Sequence, residues 1–372
     1  MDTVRDASPL LPPTAAPDLA GLESAELERA LEADGLRSFH ARQIFRWVHA
    51  RAVADFSRMT DLARPLRADL AARFRISEPA VADRHRSSDA TEKFLLRLDD
   101  GRQIESVYIP EEGRATFCIS SQAGCAMKCA FCLTGRMGLL RNLSAGEIVG
   151  QVRVLARELG LLDARFNIVL MGMGEPLHNY AATMKALRIL ADPLGLHVSP
   201  RRVTLSTVGL VAGIDKLREE AIMPNLAVSL HATTEEQRAL LLPVSRAHAL
   251  ADVIEACRRF PLRKRSRITF EYVLLDGVND SPEDARRLVR LLAGIRAKVN
   301  LIPLNAAPGI PFERPADEKV DRFAGILADR HVTVSVRKSR GRDIRAACGQ
   351  LIVEGQARSP GQQLAAAMTE QD

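Results

Sequence analysis

The chain has 372 residues, enough for two or three structural units, one of them large enough to bury a full core. Hydrophobic residues at 47% and charged residues at 26% are ordinary globular values, and no run approaches the ~20 apolar residues of a membrane span, which excludes an integral helical membrane protein. The net charge of +6 is mild, and aromatic residues at 4% are too few for a protein that stacks many bases along a single strand.

Residues 1–20 are rich in Pro and Ala without periodicity and read as a disordered leader; proline breaks them before any signal-like run forms, so the expected location is cytoplasmic. From 21 to 85 apolar residues recur at helical spacing: Leu27 and Leu31, then Phe39, Ile44, Trp47 and Val48, then Leu62, Leu66 and Leu70, with Gly35 as a helix stop. This predicts a small helical accessory domain. Across 86–112, KFLLRLDDGRQIESVYIP carries two alternating runs joined by Asp-Asp-Gly, a β-hairpin signal that links to a core at 113–350.

Beyond Ser144 short β-rich runs alternate with amphipathic ones. Strands are expected at NIVLMG (167–172), RVTLST (202–207), NLAVSLH (225–231), ITFEYVLL (268–275), KVNLIPL (298–304) and VTVSVR (332–337). Between them NYAATMKALRILA, AGIDKLREEA, ALADVIEACRRF and PEDARRLVRLLAGIR read as helices. Such alternation predicts an α/β fold with a parallel sheet and outer helices, either doubly wound or a barrel. Residues 351–372 read as a frayed tail.

Glu175, Ser206, Ser229, His231 and Asn305 fall at or just after four of these strand ends. In a barrel they would project from the C-terminal rim, where βα loops build active sites. Each alone is explicable as a turn or cap residue; together they favour a site. Two basic runs, PLRKRSR at 261–267 with four cations and VRKSRGRDIR at 336–345 with five and one acid, point to a polyanionic partner more than single solvated faces do.

Three of the six cysteines sit in GCAMKCAFCLTG, at Cys125, Cys129 and Cys132. Their spacing could place three buried thiols on one helix face, but Gly124, Lys128 and Gly135 bound and interrupt the stripe, so a loop is expected. Three thiolates so spaced can wrap a 4Fe-4S cluster and leave one iron without a protein ligand. Zinc competes, but a structural zinc site takes four ligands, and Cys118 or Cys348 would have to complete it.

Taken together, CISSQAGCAMKCAFCLTG, MGMGEPLHN, RRVTLSTVG, SLHATTEEQR, FEYVLLDGVND, NLIPLN and RKSRGRDIRAACGQL resemble the RlmN type of radical S-adenosylmethionine RNA methyltransferase, over about residues 39–351. The resemblance implies a partial (β/α)6 TIM-like barrel and methylation of carbon 2 of one adenine in 23S rRNA and of adenine 37 in tRNA. It implies a 4Fe-4S cluster on Cys125, Cys129 and Cys132, and S-adenosylmethionine held by Gly174, Glu175, Ser206, Ser229, Leu230, His231 and Asn305. It further implies that Cys348 carries the methyl group, that Cys118 resolves the protein-RNA thioether through a transient disulfide, and that Glu105 takes the proton from carbon 2. The implied partners are 23S rRNA, tRNA, bound in part by the helical domain, and a flavodoxin-like reducing electron donor, with no membrane and a monomeric chain.

On residue type alone Cys118 and Cys348 would pass as buried thiols and Glu105 as a solvent-facing strand residue; Cys257, in a helix without a motif, reads as structural. The cations before Cys348 favour its thiolate. Arg342 stands where the family commonly has an acid, and Leu139 where it has an aromatic. The related resistance enzymes that modify carbon 8 of the same adenine share these motifs and are the alternative reading. A zinc-stabilised RNA-binding protein, and a radical enzyme acting on a small molecule or peptide, explain fewer of the residues.

Overall fold

The structure, a computed structural model, describes residues 16–353. Twelve strands form among the described residues: β1 (Ala80–Arg86), β2 (Glu92–Arg97), β3 (Gln103–Glu111), β4 (Arg114–Cys118), β5 (Gln122–Gly124), β6 (Leu139–Asn142), β7 (Phe166–Leu170), β8 (Val203–Thr207), β9 (Asn225–Ser229), β10 (Ile268–Leu274), β11 (Ala297–Pro303) and β12 (Thr333–Val336). Ten of them make one sheet in the order β1-β2-β3-β4-β7-β8-β9-β10-β11-β12, and β5 pairs with β6 apart from it.

β1 to β4 run antiparallel. From β4 to β12 every neighbour is parallel, as helical crossovers require. The six expected strands and the four expected helices form. The helices Ala145–Glu158 and Asp317–Asp329 complete the alternation; the first opens on a capping box in which Ser144 and Glu147 satisfy each other's backbone N–H. Residues of β7 to β11, with Arg337 directly after β12, border a single cavity. In a flat sheet, strands spaced ~4.8 Å would leave β7 and β12 roughly 24 Å apart, so the sheet is curled. No ladder joins the two edge strands, β1 and β12, so the barrel stays open.

The hairpin is as read: Gly101, at φ +80°, turns β2 into β3. β1 lies inside the stretch expected to be helical; its AVADRHR is an exposed, charged edge with no apolar periodicity to announce it. The N-terminal helices Ser24–Ala33, Ser38–Phe45 and Arg64–Arg73 pack through Leu27, Leu31, Ile44, Phe45, Val48 and Leu70. Phe39 departs from the expected stripe: it is 42% exposed, with the Arg37 guanidinium 4.8 Å from its ring centre.

Order also begins before the boundary read at residue 20. Leu19 and Ala20 are buried, and the Asp18 carboxylate accepts from Ala20 N at 3.1 Å and Ser77 N at 2.9 Å. At the other end Leu351 and Val353 are buried, so the tail starts later than expected. Residues 1–15 and 354–372, the rest of both segments, lie outside the described residues. No helix among the described residues is long and apolar enough to cross a membrane.

The helical region is fastened to the barrel. Ser24 Oγ donates to Asp192 at 2.5 Å, Arg188 meets Glu23 at 2.8 Å and Lys185 meets Glu26 at 2.7 Å. Beneath them the fully buried Arg153 reaches Glu78 at 3.1 Å and the Ser77 carbonyl at 3.1 Å, while Arg157 reaches the same carboxylate at 2.8 Å. Removing one partner of a buried pair leaves an uncompensated charge. Glu78→Ala is therefore expected to destabilise the fold by about 3 kcal/mol in urea unfolding, far more than removal of the exposed partner in Glu255→Ala.

Candidate active site

The cysteine loop follows β5. Residues 125–132 form turns, not a helix, which removes the apolar-stripe reading. Gly124 makes the turn possible: it sits at φ +78°, and a Cβ there would lie 1.9 Å from the Gly138 carbonyl oxygen. Cys125 N then donates to that carbonyl at 3.0 Å, and the short helix Leu133–Met137 closes the loop. Cys125 and Cys129 are buried and Cys132 is half-buried.

Burial, together with Cys132 and Glu175, pushes the Cys125 thiol up to about 12. Burial and the two neighbouring thiols push Cys129 well up, and burial raises Cys132. Three thiols whose ionisation is opposed by burial and by one another suit a site whose charge a polynuclear cation would balance. Among the described residues no three His, Cys, Asp or Glu side chains converge on a point that could hold one metal ion. A closed zinc site would need four ligands meeting at one atom, whereas the irons of a cuboidal cluster take one thiolate each.

Beside the loop lies a cavity of about 830 Å³ bordered by Cys129, Cys132, Gly174, Glu175, Ser206, Ser229, His231, Asn305 and Cys348. Its wall after β7 is the MGMGEP loop, laced to residues 119–122. Gly172 N donates to the Ile119 carbonyl at 3.1 Å, Met173 N to Ser120 Oγ at 2.8 Å, and Glu175 N to Gln122 Oε1 at 2.9 Å. Gly174, at φ +103°, permits the approach; a Cβ there would fall 2.6 Å from Gln122 Cβ. Burial raises the Glu175 carboxyl to about 7, although Leu177 N and Val208 N donate to it at 3.0 and 2.9 Å.

Ser206 and Ser229 Oγ lie 3.4 Å apart. His231 adopts φ +56°, accepts at Nδ1 from Val273 N at 3.0 Å and packs edge-on to Phe131. Burial and Arg238 depress its imidazole to about 3, so it is neutral at physiological pH. Asn305 donates to the Cys348 carbonyl at 3.2 Å, while its Oδ1 is buried without a partner, an acceptor left for a ligand. Leu230 is the exception among the rim residues. Its side chain is fully buried in the hydrophobic core and does not border the cavity.

Cys348 is brought to this cavity by a clamped C-terminal segment. Leu133 N donates to the Gly349 carbonyl at 2.8 Å, Thr134 Oγ1 to the Leu351 carbonyl at 2.6 Å, and Ile352 N to Glu105 Oε2 at 2.8 Å. Glu105 is thus buried, not solvent-facing, and lies outside the cavity wall. Burial raises its carboxyl while Lys93, 2.9 Å away, opposes that rise. Cys118, facing inward from β4, is pushed up to about 12 by burial and by Cys348. Cys257 is buried in the core, as expected of a structural residue.

Arg337 was not singled out from sequence. Its Nη1 lies 3.8 Å from Cys348 Sγ, and Cys348, with Glu271 and Cys118, holds the guanidinium firmly charged. Of the run VRKSRGRDIR it is the side chain that reaches the thiol; the signal was its place at the end of β12, level with the other rim residues. Lys93 could have been found from the hairpin, since its partner Val107 is two residues from Glu105 on the same face.

A family model for the Radical SAM superfamily matches residues 119–289, and one for the ribosomal RNA large subunit methyltransferase N-terminal domain matches 17–76. The chain is 51% identical to a dual-specificity RNA methyltransferase RlmN of Geobacter sulfurreducens over 90% of this chain and 91% of that protein. The chain belongs to the RlmN family. An RlmN of Anaeromyxobacter dehalogenans is 49% identical over 95% of this chain and 96% of its own length. A solved radical SAM methyltransferase from Sphaerobacter thermophilus superposes with a TM-score of 0.87 at 47% identity, covering 90% of this chain and 99% of that one. As a radical SAM enzyme of the RlmN family it uses a 4Fe-4S cluster and S-adenosylmethionine, and the thiol triad beside a largely apolar cavity with polar groups at the strand ends fits both.

Since the loop depends on the left-handed turn at Gly124, Gly124→Ala is expected to lose most of its iron after anaerobic reconstitution while keeping the wild-type far-ultraviolet circular dichroism. Iron analysis per chain checks it.

Proposed function

We propose that this enzyme methylates carbon 2 of an adenine in folded RNA, in 23S rRNA and at adenine 37 of tRNA, through a methyl group carried on Cys348. The observation that carries this reading is the thiol of Cys348 at the wall of the cofactor cavity, 3.8 Å from the half-buried guanidinium of Arg337, which also feels Cys118. The names of the relatives, dual-specificity RNA methyltransferases, support two classes of RNA.

Carbon 2 of adenine lies between two ring nitrogens and is too electron-poor to attack a methyl donor. The cluster and S-adenosylmethionine, when bound, supply one-electron reduction and a carbon-centred radical, which no side chain can provide. Cys125, Cys129 and Cys132 would hold the first. Gly174, Glu175, Ser206, Ser229, His231 and Asn305 would hold the second, Asn305 through its free Oδ1 and Leu230 through its backbone alone.

Arg337 keeps Cys348 oriented for taking up the methyl group. That carbon, after giving up one hydrogen atom to the radical that the bound cofactor would supply, bonds to carbon 2 of the base; Glu105, whose charged form Lys93 favours against the effect of burial, accepts the proton that carbon 2 gives up, and the unpaired electron left on the adduct would return to the cluster. Cys118 attacks Cys348 Sγ; the thioether breaks, the RNA carbon takes a proton and leaves methylated, and the two thiols are left as a disulfide. A reducing donor of the flavodoxin kind must supply electrons.

After anaerobic reconstitution with S-adenosylmethionine and reductant, peptide mass spectrometry is expected to find Cys348 methylated, and nuclease digests of the RNA to contain adenine methylated at carbon 2 and not carbon 8. Cys348→Ala abolishes product, Glu105→Gln slows turnover by roughly 10²–10⁴-fold, and Cys118→Ala accumulates a covalent protein-RNA adduct on denaturing gels. Full turnover by Cys348→Ala contradicts the reading.

A further inference from the structure

A second cavity, of about 1610 Å³, is bordered by residues at the starts of β4, β7, β8, β10 and β11 and at the ends of β3 and β12, and its border shares Met171, Glu271 and Arg337 with the first. We propose that the RNA enters from this side, opposite the cysteine loop, so that nucleotide and cofactor approach Cys348 from opposite ends of the barrel. The inference rests on the RNA reading above and adds the route.

The lumen chemistry is the first argument. Parallel barrels of this kind are usually filled by branched apolar side chains. Here Thr116, Asn167, Thr204, Thr269, Asn300 and Ser335 border an open space. A wall of short hydroxyl and amide groups around empty volume suits a polar ligand such as a base and ribose, not a packed core.

The rim is the second. Arg114, Arg201, Arg202, Lys298, Lys338 and Arg340 stand at this mouth, where Glu111 is the acid at the edge and Glu271 lies deeper. Arg263 adds to the field: burial and the charge of Arg201 both lower its affinity for its proton. The run at 336–345 thus stands at this opening through Arg337, Lys338 and Arg340, and Arg263 of the run at 261–267 lies beside it, its Nη2 donating to Asn225, whose side-chain amide donates to the Arg201 carbonyl. Arg114 pairs with Glu111 and Arg340 lies 4.0 Å from Asp89, but Arg201, Lys298 and Lys338 make no ion pair among the described residues. Unneutralised cations around a concave polar opening are the footprint of a phosphate backbone.

The third argument is what closes the other end. There the segment after Cys348 is bonded to Leu133, Thr134 and Ala306, which covers the cysteine loop side. A splayed adenine rising through the lower cavity meets Arg337 and, beyond it, Cys348, with Cys118 two residues along β4 from the lumen residue Thr116. The phosphates stay outside on the basic rim, and only the extruded nucleotide enters.

The test uses reconstituted holoenzyme and a folded RNA stem-loop containing the target adenine. Its affinity is measured against KCl concentration for wild type and for the combined variant Arg201→Ala, Lys298→Ala, Lys338→Ala. Three lost phosphate contacts are expected to flatten the plot of log affinity against log salt by about 2 and to weaken binding at least tenfold at low salt. The conservative set Arg201→Lys, Lys298→Arg, Lys338→Arg restores both, and the outer-helix set Arg258→Ala, Arg286→Ala binds as wild type.

RNA carrying 4-thiouridine beside the adenine gives a readout independent of variants, with crosslinks expected in β4 and residues 298–340. If the wild type methylates RNA but the triple alanine variant keeps its affinity and slope, or crosslinks fall only on the helical region or residues 125–132, the route is wrong and the RNA reading stands. If wild type methylates no RNA, both fall. Preference of the rim for an acidic protein over the stem-loop also overturns the proposal.

Discussion

Three thiols in one turn-rich loop, shielded from water and raised by burial and by one another, define the constraint around which this molecule is arranged. A loop of that kind has no reason to hold its shape through apolar packing alone. It is held by backbone: the left-handed turn at Gly124, the hydrogen bond from Cys125 to Gly138, and the helix Leu133–Met137. The C-terminal segment is bonded to that same helix through Leu133 and Thr134. The position of Cys348 is therefore set by the cysteine loop directly, although more than 200 residues separate them in the chain.

The barrel explains why such distant residues meet. Parallel strands bring every strand end to one rim, and curling the sheet turns that rim into an enclosure. The antiparallel hairpin β2-β3 extends the sheet past β4 and delivers Glu105 to Ile352, four residues after Cys348. Arg337, at the end of β12, touches Cys348 and borders both cavities. An arginine suits that place because its charge does not depend on pH and its planar head can face a thiol and a carboxylate together.

Much of the fold was legible because alternation and helical spacing survive in the sequence. The six strands read from 167 to 337 form, and the loop reading holds for residues 125–132 after the left-handed turn at Gly124, whereas Gly135 lies in the helix Leu133–Met137. What escaped was decided by partners distant in sequence. β1 is a polar edge strand with no apolar period, and Phe39 shares the spacing of its helix yet lies outward beneath Arg37. Leu19 and Ala20 look like leader composition until Ser77 takes up Asp18. Glu105 reads as a surface acid because the two groups that bury and satisfy it, Lys93 and Ile352 N, come from another strand and from the far end of the chain. Leu230 shares its strand end with Ser229 and His231, but the pleat turns its side chain into the core.

The account stands on a triad of thiols that holds a cluster with one iron open to S-adenosylmethionine. Electron paramagnetic resonance of the anaerobically reconstituted, reduced protein tests this most directly. The account predicts about four irons per chain and a spectrum that changes when S-adenosylmethionine is added, with the change lost in Cys129→Ala. A zinc-loaded, iron-free protein, or a cluster spectrum indifferent to S-adenosylmethionine, would contradict it.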